Sequence, residues 1–241
     1  MKRYGLIGHP LGHSFSKAYF TEKFKQAKID ACYDNYDIES IEQLPLLLKQ
    51  HPDLCGFNVT IPHKEAILPY LDSLDTEAEA VGAVNTVVVT ADGRLKGFNT
   101  DVSGFNSEFR IPNSALILGT GGASKAVQYM LKHRGLPYHL VSRTQGKGHF
   151  TYDELNVEII QEHLIIINTT PVGMSPHIEE APRIPYEALT PQHTLFDLIY
   201  NPEDTLFLRH GREHGAHTIN GLTMLHAQAE ASWNIWNKES K

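Results

Sequence analysis

Lys64 and Asp101 each follow a strand-like run, in the strings Asn58-Val59-Thr60-Ile61-Pro62-His63-Lys64 and Asn99-Thr100-Asp101. A lysine at a helix start is ordinarily solvated, and the helix dipole mildly disfavours it there. Its placement is therefore a small hint of function. Lysine and aspartate together suit an alcohol–ketone interconversion. When a hydride leaves a carbinol carbon the hydroxyl proton must leave too, and a lysine can accept or return it. A neighbouring carboxylate can hold the lysine and bind the substrate hydroxyl. It also favours the charged ammonium, so desolvation or a shared proton must offset it. Ser14 and Ser16 follow the first strand, Thr60 the third, and Asn85-Thr86 lies in a hairpin. Hydroxyls at a helix start are usually caps. Gathered at the ends of several strands, such groups mark where open α/β sheets bind ligands.

A second constellation begins at Gly119-Thr120-Gly121-Gly122-Ala123, between a strand-like run and a helix. Glycines there permit a tight turn and let backbone N–H groups approach a pyrophosphate at the helix N-terminus. Ser124 occupies the place of the third glycine, so the string alone fits a structural turn equally well; its context favours a dinucleotide loop. The next strand ends in Ser142-Arg143-Thr144, with Lys147 close behind. An NAD site usually places Asp or Glu about 20 residues on, for the ribose hydroxyls. Here no carboxylate repels a 2′-phosphate, and Arg143 can pair with one. That favours NADP over NAD. A solvated surface arginine is the commoner fate, and the position after this strand argues against it.

The elements that must position these groups alternate between strand-like and helical periods, the mark of an α/β protein. Residues 4–8, 31–38 and 54–60 read as strands. Residues 14–28 read as a helix with Phe20, Phe24 and Ala27 on one stripe and Ser14 or Ser16 as cap. Residues 40–50 are helical with Pro45 as a kink or late start, and 63–71 form a helix after Pro62. Residues 83–90 and 94–98 flank the turn Ala91-Asp92-Gly93 as an antiparallel hairpin. The pattern restarts after Asp101. Strands are expected at 115–118, 138–142, 164–168 and 194–199. A helix at 124–134 buries Ala126, Val127, Met130 and Leu131, and a last helix spans 222–236. Composition excludes other classes. The chain holds 21 Lys+Arg against 28 Asp+Glu, a formal charge of −7, so bulk charge does not hold nucleic acid. No apolar run approaches the ~20 residues that span a bilayer. Two cysteines, Cys32 and Cys55, make no disulfide framework, which fits a cytoplasmic protein. The 14 histidines show no metal-ligand spacing, so no metal is expected; His9 and His13 read as ordinary hydrogen-bonding groups.

The strings at 8–16 (GHPLGHSFS), 56–64 (GFNVTIPHK), 82–86 (GAVNT), 97–101 (GFNTD), 119–123 (GTGGA), 168–174 (NTTPVGM), 197–202 (DLIYNP) and 220–228 (NGLTMLHAQ) occur in this order. Through them the chain resembles the shikimate dehydrogenase family. The resemblance implies an α/β protein of two domains: a mixed-sheet substrate domain (1–102 plus 222–241) and a Rossmann-like NADP-binding domain (103–221), with the active site in the cleft between them. It implies NADP-dependent, reversible reduction of 3-dehydroshikimate to shikimate, with Lys64 and Asp101 as catalytic pair. Ser14, Ser16, Thr60, Asn85 and Gln228 would bind the substrate, with Asn58 beside them. Gly119, Gly121, Gly122 and Ala123 would meet the pyrophosphate, and Ser142, Arg143 and Thr144 the 2′-phosphate side. Thr169, Tyr200, Gly221 and Met224 would line the nicotinamide side; packing is an equal reading for Met224. The partner is a small molecule, with neither nucleic acid nor membrane, and the state a monomer or homodimer. A quinate/shikimate enzyme tolerating NAD, or a non-catalytic binding homologue, are the alternatives. Three departures stand out: Ser142 where the family commonly has Asn, a short stretch between Thr144 and Asn168, and a short connection from Asp101 to residue 115.

Overall fold

The computed structural model describes residues 1–11, 14–106 and 114–239. Gly12 and His13 of the first motif lie outside them, as does most of the connection from Asp101 to residue 115. The chain forms two compact units, residues 1–100 with 228–241, and residues 101–227.

The first unit runs β1 (Lys2–Gly8), α1 (Phe15–Gln26), β2 (Ala31–Asp37), α2 (Leu44–Gln50), β3 (Leu54–Val59), α3 (His63–Ala66), β4 (Ser73–Leu74), α4 (Thr76–Val81), β5 (Thr86–Val89) and β6 (Leu95–Phe98). The sheet order is β2-β1-β3-β5-β6-β4. β1 is parallel to β2 and β3, whereas β5 is antiparallel to both β3 and β6. The sheet is buried on both faces, following the alternation of side chains along a strand. On one face Tyr4 and Leu6 join Phe20 and Phe24 of α1, Tyr33, and Trp236 near the end of the chain. The Trp236 indole stacks on Tyr4 with centroids 4.8 Å apart, and its Nε1 donates to the Val87 carbonyl at 3.0 Å. On the other face Ile7 joins Leu44 and Leu47, Ile67 and Ala78.

Local chemistry explains where these elements depart from the expected ones. Ala27 is exposed and caps the C-terminus of α1, so the buried stripe is Phe20 and Phe24. Residues 41–43 form a 3-10 turn, and α2 starts at Leu44 with Pro45 in its first turn, where the missing N–H costs nothing. The helix expected over 63–71 stops at Ala66. Pro69 has no N–H for the Glu65 carbonyl and disfavours helical Leu68, and a 3-10 turn follows at Leu68–Tyr70. α4 is not among the expected elements, although Asp75 caps its start and Gly82 closes it in the left-handed region.

The second unit runs α5 (Asp101–Asn106), β7 (Ala115–Leu118), α6 (Gly122–His133), β8 (Tyr138–Ser142), β9 (Phe150–Thr151), α7 (Val157–Glu162), β10 (Ile165–Asn168), β11 (Thr194–Asp197), α8 (Leu206–Glu213) and β12 (His217–Ile219), followed by α9 (Leu222–Glu239), whose later turns belong to the first unit. All six strands are parallel, in the order β12-β11-β10-β7-β8-β9. Counted from β7 this is 3-2-1-4-5-6, the order of a dinucleotide-binding sheet, with its switch point between β7 and β10. Parallel neighbours ordinarily need a crossover of a dozen or more residues with a helix. Residues 143–149 join β8 to β9 with no helix. Between β8 and β10 stand only the two-residue β9, a 3-10 turn and the six-residue α7. Ile184, Ala188 and Leu189, from a largely irregular segment, pack on the core around Leu116, Leu118 and Val141. No helix of the described residues is long and apolar enough to cross a membrane.

Candidate active site

The polar residues singled out in the first unit meet in one buried network. Ser14 is the N-cap of α1 and accepts from the Lys17 N–H at 3.2 Å. Two residues on, Ser16 is buried, with its side chain close enough to the Tyr33 phenol to oppose the rise that burial imposes on it. Tyr33 in turn donates to Asn58 Oδ1 at 2.8 Å. Asn58 Nδ2 lies within 3.1 Å of the Asn85 carbonyl and the Thr86 hydroxyl, and 3.0 Å from the Ser232 hydroxyl on α9. Asn85 Oδ1 accepts from the Thr100 N–H at 2.8 Å, and its Nδ2 donates to the Thr100 hydroxyl at 3.0 Å. Ser232 also donates to the Gln228 carbonyl at 2.9 Å, one turn earlier on the same helix. Ser16, Asn58, Asn85 and the turn bearing Gln228 are thus tied together, although four different elements carry them. Both amide ends of Asn58 are engaged by protein groups, so it acts as a brace.

Thr60 and Lys64 sit just beyond the end of β3. The Thr60 N–H donates to the Ile7 carbonyl at 2.8 Å and its carbonyl accepts from His63 N–H at 2.9 Å. His63 is 2% exposed and its Nε2 is 2.7 Å from the Ile38 carbonyl, so that nitrogen carries the proton. This bond anchors α3, and with it Lys64, to the end of β2. The Lys64 carbonyl accepts from Val84 N–H at 2.8 Å. The loop after β1 is tied down as well: Asp37 accepts from Leu11 N–H at 2.8 Å and lies 2.6 Å from His9 Nδ1. These two contacts, the backbone one first, hold the Asp37 carboxyl below its usual range. Asp101 opens α5 and is 6% exposed.

In the second unit the glycine loop leaves β7 at the switch point. Gly119 has φ 109°, a conformation L side chains rarely adopt, and an added Cβ would lie 2.7 Å from Thr169 Oγ1. The Thr169 hydroxyl donates to the Leu118 carbonyl at 2.7 Å. Gly121 is the extended N-cap of α6, without a side-chain capping bond, and its Cα faces open space. Ser124 turns inward to donate to the Gly119 carbonyl at 2.9 Å. The backbone N–H groups of Gly122 and Ala123 thus open a helix that no side chain caps, the setting an anion needs. Arg143 and Thr144 are exposed at the end of β8, and the Ser142 hydroxyl accepts from Thr144 N–H at 3.1 Å. Ser142 therefore shapes the turn that presents Arg143. Arg143 is also close enough to oppose the rise that burial imposes on the Tyr152 phenol, to about 12. The donor set fits NADP: an open helix start, a glycine turn, and a cation with no carboxylate at the end of β8.

The nicotinamide-side candidates are held by a carboxylate to which the motif reading gives no role. Asp197, fully buried, accepts from Asn168 Nδ2 at 3.0 Å, Ile199 N–H at 3.0 Å and the Thr205 hydroxyl at 2.7 Å. Asn168 Oδ1 in turn accepts from the Thr170 N–H and hydroxyl. The loops after β10 and β11, with Thr169 and Tyr200, therefore share one anchor. Gly221 lies so close to this region that a Cβ would be 2.3 Å from the Leu198 carbonyl oxygen. Met224 is buried in the first turn of α9.

Burial pushes the Asp197 carboxyl up to about 6 despite its three donors. A carboxyl raised above its unfolded value binds its proton more tightly when folded, so its contribution to stability falls as pH rises from about 4 to about 6. The shift of about two units corresponds to about 3 kcal/mol. Asp197→Asn is neutral and keeps an oxygen for Asn168 and Ile199. Its stability relative to the parent is expected to improve by up to about 3 kcal/mol between pH 4 and pH 7, measured by urea unfolding at both. An unchanged difference would show that Asp197 does not titrate in this range.

The 3-2-1-4-5-6 parallel sheet, the glycine turn at its switch point and the accompanying mixed-sheet unit define a two-unit α/β protein of the dinucleotide-binding class. Residues 6–87 match the model of the shikimate dehydrogenase substrate binding domain. A shikimate dehydrogenase (NADP(+)) of Methanococcus maripaludis is 38% identical, over 98% of this chain and 91% of its own length. A crystal structure of shikimate dehydrogenase in complex with NADP+ superposes with a TM-score of 0.86 at 34% identity, covering 100% of this chain and 91% of its own. The enzyme of Thermus thermophilus in complex with NADP(H) and shikimate gives 0.87 at 32%, covering 100% and 95%. The chain belongs to the shikimate dehydrogenase family.

Proposed function

We propose that this chain interconverts 3-dehydroshikimate and shikimate with NADP, reducing the ring ketone in the biosynthetic direction. The reaction, an oxidoreduction at a CH–OH group, is that of its relatives at 38% identity over nearly its full length. What supports the reading within the chain is the coexistence of Lys64, tied through its carbonyl to the Val84 N–H beside the buried Asn85 network, and an uncapped helix start in the unit that bears Arg143. A bound NADP supplies hydride chemistry, with Gly119, Gly121, Gly122 and Ala123 at its pyrophosphate and Arg143 and Thr144 at its 2′-phosphate. Thr169, Tyr200, Gly221 and Met224 serve the nicotinamide side, with Gly221 acting by letting the chain pass close to Leu198. Residues 1–102 with 222–241 form the substrate domain, and 103–221 the cofactor domain.

Lys64 gives its proton to the ketone oxygen in reduction and takes it from the hydroxyl in oxidation, and Asp101 binds that hydroxyl and orients the ammonium. Ser14, Ser16, Thr60, Asn85 and Gln228 hold the ring hydroxyls and the carboxylate, and Asn58 braces them. The Ser14 and Thr60 hydroxyls favour shikimate over a ring with an additional hydroxyl.

Steady-state kinetics with shikimate or quinate crossed against NADP or NAD test the reading. The expected result is strong turnover for shikimate with NADP and at least tenfold lower kcat/KM for each other pair. Comparable turnover with quinate or NAD makes this the broader quinate/shikimate enzyme. Ligand binding without turnover in any pair makes it a non-catalytic homologue.

A further inference from the structure

Two buried residues that no motif contains join the proposed substrate ligands to one another. Tyr33, on β2, is 2% exposed; its phenol donates to Asn58 Oδ1 at 2.8 Å and is close enough to the Ser16 side chain for that hydroxyl to oppose the rise burial imposes on it. Ser232, on α9, is 0% exposed and is a single hydroxyl facing three partners of the network. Asn58 Nδ2 is 3.0 Å away, Thr86 Oγ1 2.8 Å and Thr100 Oγ1 3.2 Å. Its one proton points at the Gln228 carbonyl, so it acts chiefly as an acceptor for the others. A hydroxyl bonding the carbonyl four residues earlier competes with the helix's own ladder. The contacts of Ser232 to Asn58 and Thr86, with its bond to the Gln228 carbonyl, tie the turn of α9 bearing Gln228 to the network.

We propose that Tyr33 and Ser232 are positioning residues for the dehydrogenase reaction, fixing Ser16, Asn58, Asn85 and the Gln228 turn as one set that recognises the substrate's ring hydroxyls. The inference rests on the assignment of Ser16, Asn85 and Gln228 to the substrate. Neither residue acts on the proton or the cofactor, so their effect belongs to substrate affinity. Loss of one buried hydrogen bond that orients a ligand amounts to about tenfold in affinity. Tyr33→Phe is the sharp variant. It keeps the ring stacked on Phe20, with centroids 4.7 Å apart, and removes only the hydroxyl between Ser16 and Asn58.

The test compares Tyr33→Phe, Ser16→Ala, the double variant and Ser232→Ala in the full-length enzyme. The readouts are KM for shikimate, KM for NADP, kcat and the thermal midpoint. Tyr33→Phe and Ser232→Ala are expected to raise KM for shikimate about tenfold, with kcat and KM for NADP within twofold of the parent. The double variant should fall short of the product of the two single effects, because part of the effect of Tyr33 passes through Ser16. A raised KM in Ser16→Ala with a parental value in Tyr33→Phe overturns the role of Tyr33 while the site assignment stands. A parental KM in Ser16→Ala overturns the assignment of Ser16 itself and this inference with it. A lowered thermal midpoint with kcat and both KM values shifted alike marks the two hydroxyls as merely structural and also overturns the inference.

Discussion

Lys64→Ala is expected to lower kcat for shikimate oxidation about 10³-fold and to leave its KM within about threefold, measured by steady-state kinetics at saturating NADP. The size of the effect follows from the chemistry. Without the lysine amine to accept it, the proton released with the hydride must pass to water, and a positioned acid or base contributes ~10²–10⁴-fold. The substrate's other hydroxyls and its carboxylate are assigned to groups that do not depend on Lys64, so binding persists. Lys64→Arg separates proton transfer from charge. Arginine keeps the positive charge but does not release its proton near neutral pH, so it should be nearly as impaired as alanine. Substantial activity in Lys64→Arg would make the role of Lys64 electrostatic, and activity in Lys64→Ala would remove it from the mechanism. The fold should tolerate both changes, because His63, not Lys64, anchors α3 to the Ile38 carbonyl.

Arg143→Ala is expected to raise KM for NADP roughly 10- to 100-fold while changing KM for NAD less than threefold. Arg143 is exposed, and an exposed ion pair alone is worth little. The larger figure applies to a guanidinium that binds a doubly charged phosphate through paired N–H groups. The Ser142 hydroxyl accepts from the Thr144 N–H at 3.1 Å and so shapes the turn that bears Arg143, which reduces the ordering expected of the guanidinium if it binds the phosphate. The readout is the ratio of kcat/KM for the two cofactors. Equal weakening of both would place Arg143 away from the 2′-phosphate.

How far the sequence reveals this molecule depends on how local the signal is. β7 and β8 are legible to the residue, because each is a short apolar run ending at a glycine or a polar turn. α6 is legible from its stripe of Ala126, Val127, Met130 and Leu131, and its start moves only from Ser124 to Gly122. β12 is not legible, because His-Thr-Ile has no periodicity long enough to read. α8 carries Gly211 inside it, which lowers any helical reading. The same division runs through the site. Lys64, Asp101 and the glycine loop stand in strings whose residue types announce chemistry. Tyr33 sits in a strand and Ser232 in a helix, where a tyrosine and a serine are commonplace; only their meeting at Asn58 gives them a role, and that meeting is non-local. Asp197 lies in a quoted motif, and its bond from the Ile199 N–H is local to that string, but its partners Asn168 and Thr205 come from outside it.

The stacking of Trp236 on Tyr4 joins nearly opposite ends of the chain, and it sets a timetable for biosynthesis. A ribosome adds about 5–20 residues per second, so on the order of ten seconds separate residue 100 from residue 236. During that interval the strands of the first sheet have been made, while the indole that covers Tyr4, Phe20 and Tyr33 has not. The nascent first unit thus carries an open aromatic face through the synthesis of the whole second unit, a surface that chaperones recognise. A premature stop late in the message would leave every proposed substrate ligand except Gln228 in the product, and still deny those residues the core that holds them in place.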